Sequence, residues 1–312
     1  MMTITVKTSE KTREMMKEFY DDLKREKTPP YAIFQADDGD TVVTLYESGK
    51  CVFQGVDADL ASEYWVETEK IHSGHAEVTN SEDKKNVQEK DEFDTKKYMY
   101  VNSVGSDEVG TGDYFGPIVV TASYVKREDV SYLKELGCMD SKKITDEKIL
   151  EIAPKIAKRI LYKSIILSNE DYNKYHSEYN MNKVKAILHN KVLLEVMDTK
   201  PSVDYIIVDE FAKEFFYYNY LKDAKRVQRG ITFMTKAEDK NMAVACSSII
   251  CRYLFLKEYD KLNKSLHVKL PKGAGTEVDK VGKELVEKYG KDILEKIAKL
   301  SFKNTEKITD NI

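Results

Sequence analysis

The feature that most constrains this chain is a charged stretch that interrupts the hydrophobic pattern between residues 71 and 95. Within it, SEDKKN (residues 81–86) and EKDE (residues 89–92) carry a charge at most positions. A segment of this composition buries too little apolar surface to offset the entropy of ordering its backbone. We therefore predict a charged linker over residues 71–95, which separates a small domain (residues 1–70) from a large one (residues 96–312).

The small domain is predicted to be a β-meander with a helix across one face. Residues 10–24 have a helical spacing of apolar residues. Strands are indicated at residues 3–7, 31–34, 41–46 and 50–53, with the turn-forming sequences DDGD and ESG between the later ones. We interpret the aromatic residues of this domain as core, against the alternative that they stack on bases: Tyr31, Phe34, Tyr46, Phe53 and Trp65.

The large domain has longer elements in which strands and helices alternate. Residues 98–104 and 118–125 are predicted to pair as a β-hairpin. Further strands are indicated at residues 161–167, 203–208 and 231–234, and helices at residues 146–159, 182–197, 243–262 and within 281–300. This pattern predicts a mixed α/β domain.

Composition narrows the class of protein. The longest apolar runs, such as IVV and YIIV, are far shorter than the ~18–20 residues that cross a bilayer. The N-terminus has no apolar signal core and the four cysteines are scattered, so we expect a reducing cytoplasm. The sequence shows no exposed apolar patch, so we expect a monomer. The net charge of −4 argues against coating nucleic acid through bulk positive charge, but it permits a local cationic groove.

A glycine-rich segment, GSDEVGTGDYFGP (residues 105–117), lies between the first two strands of the large domain. A dinucleotide-binding loop is excluded because the third glycine of that motif is absent and the segment leads into a strand rather than a helix. What remains is an acidic pair, Asp107 and Glu108, followed by a turn whose bare backbone N–H groups can approach a sugar-phosphate.

Further acidic residues follow other strands of the large domain. Asp209 follows the buried strand, and either Glu238 or Asp239 follows the strand at residues 231–234. Carboxylates without a nearby histidine or cysteine cluster suit Mg²⁺ or Mn²⁺, and two such ions can stabilise both oxygens of a phosphodiester displacement. Neighbouring strand residues alternate between faces, so we expect a strand end or a bulge at Asp107 and Glu108.

These segments closely resemble the motifs of the bacterial type 2 ribonucleases H. The sequence DEVGTGDYFGP resembles the opening active-site motif, and its DYF insert is similar to the ribonuclease HIII branch. Resembling segments follow in the family's order: DSKK (140–143), VDEF (208–211), TKAE (235–238) and LPKGAG (270–275). The N-terminal YESGK and FQG sequences are similar to the TATA-box-binding-protein-like extension of that branch.

The resemblance implies an RNase H-like fold, a mixed five-stranded sheet flanked by helices, preceded by a small α+β domain that binds substrate. It implies an endonuclease that cuts the RNA strand of RNA–DNA hybrids with two Mg²⁺ or Mn²⁺ ions and leaves 5′-phosphate and 3′-hydroxyl ends. The implied catalytic and metal-binding acids are Asp107, Glu108, Asp209 and Glu238, and only the motif selects Glu238 over Asp239. The implied substrate contacts are Gly110, Thr111 and Gly112 to ribose 2′-hydroxyls and Lys142 and Lys143 to phosphates.

Some alternatives stay open at this point. Ser301 stands where the family pattern leads us to expect histidine. Thr111 favours cleavage within a run of ribonucleotides, but an enzyme of the HII type that cuts at single ribonucleotides, or a hybrid-binding protein without activity, remains an alternative. A set of basic residues is either a solvated surface or a phosphate-binding rim: Lys222, Lys225, Arg226, Arg229, Lys236, Lys240 and Arg252.

Overall fold

The structure is a computed structural model that describes residues 2–55, 58–81, 97–139 and 144–310. The chain falls into two compact units, one formed largely by its N-terminal part and the other by most of the remainder. In the part of the chain that the structure describes, no helix has the length and apolar character that crossing a membrane requires.

The N-terminal unit is a five-stranded antiparallel sheet in the order β2-β3-β4-β1-β5 with two helices. Its elements are β1 (Met2–Lys7), α1 (Glu10–Phe19), β2 (Ala32–Asp38), β3 (Thr41–Tyr46), β4 (Lys50–Gly55), α2 (Ala58–Ser73) and β5 (Val78–Ser81). Ser9 caps α1, since its side chain accepts the N–H of Thr12. Helix α1 ends at Phe19, five residues before the predicted end, and a short 3-10 turn follows it at Asp21–Leu23.

The core of this unit lies between the sheet and the helices. Phe34, Phe53 and Trp65 are buried there, as the sequence predicts, whereas Tyr31 is 80% exposed. The Trp65 indole N–H donates to the Tyr20 hydroxyl at 3.0 Å, so the polar end of each buried ring has a partner. Because sheet and helices enclose one aromatic cluster, this unit has a core of its own.

The boundary predicted at residue 70 is wrong. Helix α2, which the sequence analysis missed, continues to Ser73, and β5 pairs antiparallel with β1. Strand β5 reads VTNS and has no hydrophobic alternation, because an edge strand is held mainly by backbone hydrogen bonds to its neighbour. The unit therefore reaches residue 81, and residues 82–95 of the predicted linker lie outside the described residues.

The C-terminal unit contains a mixed five-stranded sheet in the order β10-β9-β6-β7-β8. Its strands are β6 (Ser103–Val109), β7 (Ile118–Val125), β8 (Leu161–Leu167), β9 (Tyr205–Asp209) and β10 (Ile231–Met234). Strands β6, β7 and β8 pair antiparallel, and β9 and β10 extend the sheet in parallel from β6. The predicted hairpin of the first two strands is confirmed, and so is the mixed sheet.

Helices pack on this sheet and beyond its edges. They are α3 (Val130–Glu135), α4 (Asp146–Arg159), α5 (Asn169–His176), α6 (Met181–Met197), α7 (Glu214–Tyr220), α8 (Met242–Leu266), α9 (Thr276–Tyr289), α10 (Ile293–Ile297) and α11 (Asn304–Thr309). Asn241 caps α8 by accepting from the N–H groups of Ala243 and Val244. The predicted helical region at residues 281–300 is two helices, because Gly290 has a φ of 83° and ends the first.

The first strand of this unit lies five residues later than predicted. The sequence predicts residues 98–104, but β6 covers Ser103–Val109 and so includes Gly105 and the two acids, which the prediction places after residue 104. Gly105 is needed inside the strand, since a Cβ there would lie 2.4 Å from the backbone nitrogen of Val244. The glycine is present because α8 approaches the middle of the sheet closely, and this tertiary contact cannot be seen in the local sequence pattern.

Candidate active site

The candidate site lies at the adjacent ends of strands β6 and β9. These strands are parallel, and Ser106 is opposite Val208 in their register. The next residues along the two strands, Asp107 and Asp209, therefore lie side by side at one edge of the sheet. The register of these two strands thus brings together Asp107 and Asp209, two of the acids that the sequence selects.

The register of β6 with β7 is regular through Asp107, Glu108 and Val109, so there is no bulge, and the two acids lie among the last three residues of the strand, at the expected strand end. Alternate residues of β6 face opposite helices. Ser103 and Gly105 contact α8, and the Asp107 carboxylate hydrogen-bonds Ser248 of the same helix. Ser106 and Glu108 instead face α6. The two neighbouring acids thus reach the strand end from opposite faces of the sheet.

Asp209 and Glu238 meet where strand β10 runs into a short 3-10 turn, Ala237–Asp239. One carboxylate oxygen of Asp209 accepts the backbone N–H of Ala237 at 2.8 Å. Lys236, which precedes the turn, has a left-handed backbone with a φ of 52°. Glu238 is 9% exposed, whereas Asp239 is exposed to solvent. Burial beside Asp209 supports Glu238 over Asp239, the choice that the residues alone left open.

The carboxylates influence one another's protonation. Burial raises the pKa of the Asp107 carboxyl well above its usual range, and the charges of Glu108 and Asp209 raise it further. Burial also raises the pKa of Asp209 to about 7; the N–H of Ala237 opposes this shift, and the charge of Glu238 adds to it. These shifts mean that the site gathers more negative charge than its buried surroundings tolerate.

Glu108 has a different environment, which the sequence analysis missed. Lys185 Nζ lies 2.5 Å from one of its carboxylate oxygens, and His189 Nε2 lies 3.0 Å from the other. Burial works to raise the pKa of Glu108, but the charge of Lys185 and the hydrogen bond of His189 outweigh it and hold the pKa at about 2. The sequence feature that indicates these partners is a lysine and a histidine four residues apart, which places both on one face of α6.

The donor set has the chemistry of a divalent-cation site. Carboxylate oxygens are the ligands that Mg²⁺ and Mn²⁺ prefer, and a cation would relieve the repulsion that raises the pKa values of Asp107 and Asp209. Among the described residues, no group of three or more acidic, histidine or cysteine side chains lies in a metal-holding arrangement. Since Lys185 and His189 already contact Glu108, a cation that binds this carboxylate would compete with the ammonium of Lys185.

The glycine turn follows β6 directly. Gly110 has a φ of 91°, and a Cβ there would lie 2.2 Å from the carbonyl oxygen of Pro117, so the position requires glycine. Thr111 is partly exposed and Gly112 exposed, which leaves their backbone open to a ligand. Lys142 and Lys143 lie outside the described residues.

The C-terminal segment fixes the far side of this turn. The carboxylate of Asp113 accepts the N–H of Gly273 at 2.6 Å. Lys299 Nζ donates to the carbonyl oxygens of Asp113 and Gly116. The turn and the predicted C-terminal glycine loop are therefore one hydrogen-bonded unit.

Several members of the basic set have structural roles. Arg252 pairs with Asp146 at 2.9 Å, Arg226 pairs with Asp198 at 2.6 Å, and Lys240 is buried. Arg252 and Asp146 also line a cavity of about 270 Å³ that reaches Glu108. Lys222 and Lys225 are exposed, in agreement with a solvated surface.

Comparisons with known proteins found a matching family model and similar chains. The family model described as Ribonuclease HII matches residues 104–305, and a domain of unknown function, DUF3378, matches residues 3–77. A ribonuclease HIII of Bacillus mycoides is 39% identical over 311 residues, which cover 98% of this chain and 97% of the relative. A ribonuclease HIII of Bacillus cereus shows the same identity and coverage.

Solved structures show the same likeness. The structure of Bst-RNase HIII in complex with Mn²⁺ is 35% identical, covers 99% of this chain and 98% of that chain, and has a TM-score of 0.68. Aquifex aeolicus RNase H3 is 21% identical, covers 95% of this chain and 98% of that chain, and has a TM-score of 0.53, which supports the fold alone.

Proposed function

The chain belongs to the ribonuclease HIII family, and on that premise we propose that it is an endonuclease that hydrolyses the RNA strand of RNA–DNA hybrids and leaves 5′-phosphate and 3′-hydroxyl ends. The observation that carries the proposal is the pair Asp107 and Asp209 at adjacent ends of parallel strands, with Glu238 buried beside Asp209. The negative charge gathered there calls for divalent cations, and the Mn²⁺ complex of the similar Bst-RNase HIII supports that cofactor.

Asp107, Glu108, Asp209 and Glu238 are the residues that would hold Mg²⁺ or Mn²⁺. When bound, two such ions supply a nucleophilic hydroxide and stabilise the charge on the leaving oxygen. The contribution of the chain is to present carboxylates from rigid elements. The N–H of Ala237 orients Asp209, and the N–H of Glu108 together with Ser248 orients Asp107. Such orientation keeps a site from reorganising during the reaction.

Recognition of RNA is assigned to the glycine turn. Gly110, Thr111 and Gly112 present backbone groups at the strand end, directly after Asp107 and Glu108, and backbone groups at that place can contact a ribose 2′-hydroxyl. Lys142 and Lys143 would contact phosphates. The anchoring by Asp113 and Lys299 supports this assignment, because a fixed turn can discriminate a hydroxyl from a hydrogen.

In this proposal the two parts of the chain have different roles, substrate binding and cleavage. The N-terminal part, predicted as residues 1–70 and extended by β5 to residue 81, binds the hybrid, and residues 96–312 cut it. The protein acts as a monomer in the cytoplasm.

The experiment that tests the catalytic assignment compares binding with cleavage. Asp107→Asn and Asp209→Asn are expected to abolish cleavage of an RNA–DNA hybrid in Mg²⁺ or Mn²⁺. Hybrid binding should be retained or tighter, because an anion near the phosphates is removed. Asp239→Asn is the matched control, since this acid lies on the same turn but is exposed, and it should cut normally. Full cleavage by Asp107→Asn would refute the assignment.

A further inference from the structure

The side chain of Glu108 is held by an ion pair inside the protein. Lys185 Nζ is 2.5 Å from one carboxylate oxygen, and the two side chains are only 11% and 12% exposed. Taking both charges out of water is costly, and the cost is offset when each has the other as a partner. In the metal-free protein, the ammonium of Lys185 thus neutralises one of the proposed metal ligands.

The other oxygen of Glu108 is held by a histidine that is fixed from both sides. His189 is fully buried, its Nε2 is 3.0 Å from Glu108 and its Nδ1 is 2.8 Å from the hydroxyl of Ser106. Ser106 precedes Glu108 by two residues on the same face of β6. When the Ser106 hydroxyl donates to Nδ1, the Nε2–H donates to Glu108, so a neutral imidazole satisfies both contacts.

The two partners of Glu108 differ in how easily they can leave. His189 is locked between two groups of one strand, and its planar ring has few alternative orientations. Lys185 carries its charge on a flexible four-carbon stem, which can withdraw without movement of the helix. The stem arises one helical turn from His189 on α6, so both contacts come from one face of one helix.

We propose that Lys185 is a built-in counter-cation that occupies the cation position at Glu108 until a divalent metal ion displaces it, while His189, backed by Ser106, keeps the carboxylate oriented. The charge of an ammonium 2.5 Å from Glu108 repels a divalent ion that approaches the same carboxylate. Lys185 therefore stabilises the metal-free protein and competes with metal, whereas His189 stays in place and assists metal binding. Both act as positioning residues.

The competition has a measurable consequence through linkage. If the Lys185 contact and metal binding exclude each other, removal of the ammonium must tighten metal binding and must destabilise the metal-free protein. A purely structural lysine would give only the second effect. The sign of the change in metal affinity separates the two roles.

The test is a titration of the full-length protein with Mn²⁺, in which free Mn²⁺ is followed by electron paramagnetic resonance. Couplings between sites typically amount to about 5- to 150-fold, so Lys185→Met is expected to bind Mn²⁺ about tenfold more tightly. Its thermal midpoint in chelator should fall below that of the unchanged protein. Lys191→Met, an exposed position on the same helix, should change neither quantity.

A second pair of variants tests His189. His189→Leu is expected to weaken Mn²⁺ binding by about tenfold, the lower end of the usual effect of residues that orient metal ligands, and His189→Gln should restore part of it, since an amide can still donate to Glu108. If Lys185→Met does not fold, Lys185→Gln replaces it. Folded Lys185 variants that bind Mn²⁺ equally or more weakly would overturn the proposal.

This inference rests on the proposed function, but its failure can be recognised separately. Mn²⁺ affinity is measured without nucleic acid, and cleavage of a hybrid is measured on the unchanged protein. Failure of the proposed function appears as a lack of hybrid cleavage, whatever the Lys185 variants do. If the counter-cation proposal fails, the Lys185 variants bind Mn²⁺ no more tightly than the unchanged protein, although the unchanged protein still cuts the hybrid.

Discussion

Lys299 is a fully buried lysine whose ammonium hydrogen-bonds backbone carbonyl oxygens. Its ammonium donates to the carbonyl oxygens of Asp113 at 2.7 Å and Gly116 at 2.6 Å. Burial lowers the pKa of Lys299 to about 7, and the negative charge of Asp113 opposes the shift only in part. The residue that fixes the glycine turn therefore makes the stability of the protein depend on pH.

The direction of that dependence follows from proton binding in the two states. An unfolded chain keeps the lysine proton up to a pKa of 10.5, whereas the folded protein releases it near pH 7. Between these values the unfolded state binds more protons, so the free energy of unfolding rises with pH. With these two pKa values, the contribution of Lys299 grows by about 2 kcal/mol from pH 7 to pH 9.

The assay is urea unfolding of the unchanged protein and of Lys299→Met at pH 7, 8 and 9. The stability of the unchanged protein relative to Lys299→Met should increase by about 2 kcal/mol across this range, because the subtraction removes all other titrating groups. Lys296→Met, an exposed lysine three residues away, should show no such trend. If the difference in free energy of unfolding between the two proteins stays constant within about 0.5 kcal/mol, the reasoning is refuted, because Lys299 then releases no proton on folding.

Three further predictions concern other parts of the fold. Gly105→Ala should destabilise the protein by at least about 2 kcal/mol in urea unfolding, because a Cβ 2.4 Å from the nitrogen of Val244 overpacks the contact between β6 and α8. A decrease in the free energy of unfolding below about 0.5 kcal/mol would contradict this packing. Trp65→Ala should cost the N-terminal unit about 3–5 kcal/mol, measured by thermal unfolding, and an unchanged transition would contradict the position of Trp65 in its core. Deletion of residues 1–95 should raise KM for the hybrid more than it lowers kcat, and an unchanged KM would exclude substrate binding by that part.

Much of the large unit could be predicted from periodicity alone. Strands β7, β8 and β10 and helix α4 have the predicted bounds, because continuous apolar runs and a clear helical spacing define them. The weaker predictions fall where tertiary contact overrides local pattern. The prediction for β6 lies five residues too early because Gly105, which looks like a turn residue, is inside the strand and allows the close approach of α8. Strand β5 is not predicted because an edge strand needs no apolar alternation.

The candidate site can be predicted from the sequence only where its residues are marked by their local position along the chain. Acids at strand ends are visible along the sequence, so Asp107, Glu108 and Asp209 were selected from residues alone, whereas Glu238 needed the resemblance. The partners of Glu108 are 77 and 81 residues away on α6, and only the packing of that helix on the sheet brings them close. Sequence spacing within α6 shows that Lys185 and His189 share a face, but not what that face contacts.

The most direct test of the central claim is gel-resolved cleavage by the unchanged protein of three end-labelled substrates: an RNA–DNA hybrid, a duplex with one embedded ribonucleotide, and plain DNA. Each is incubated with Mg²⁺, Mn²⁺ or chelator. We expect cuts at several internal ribonucleotides of the hybrid, only with metal, and no cut in plain DNA. Cleavage at the single ribonucleotide in preference to the hybrid would contradict the HIII-type activity, and tight hybrid binding without any cut would contradict catalysis itself.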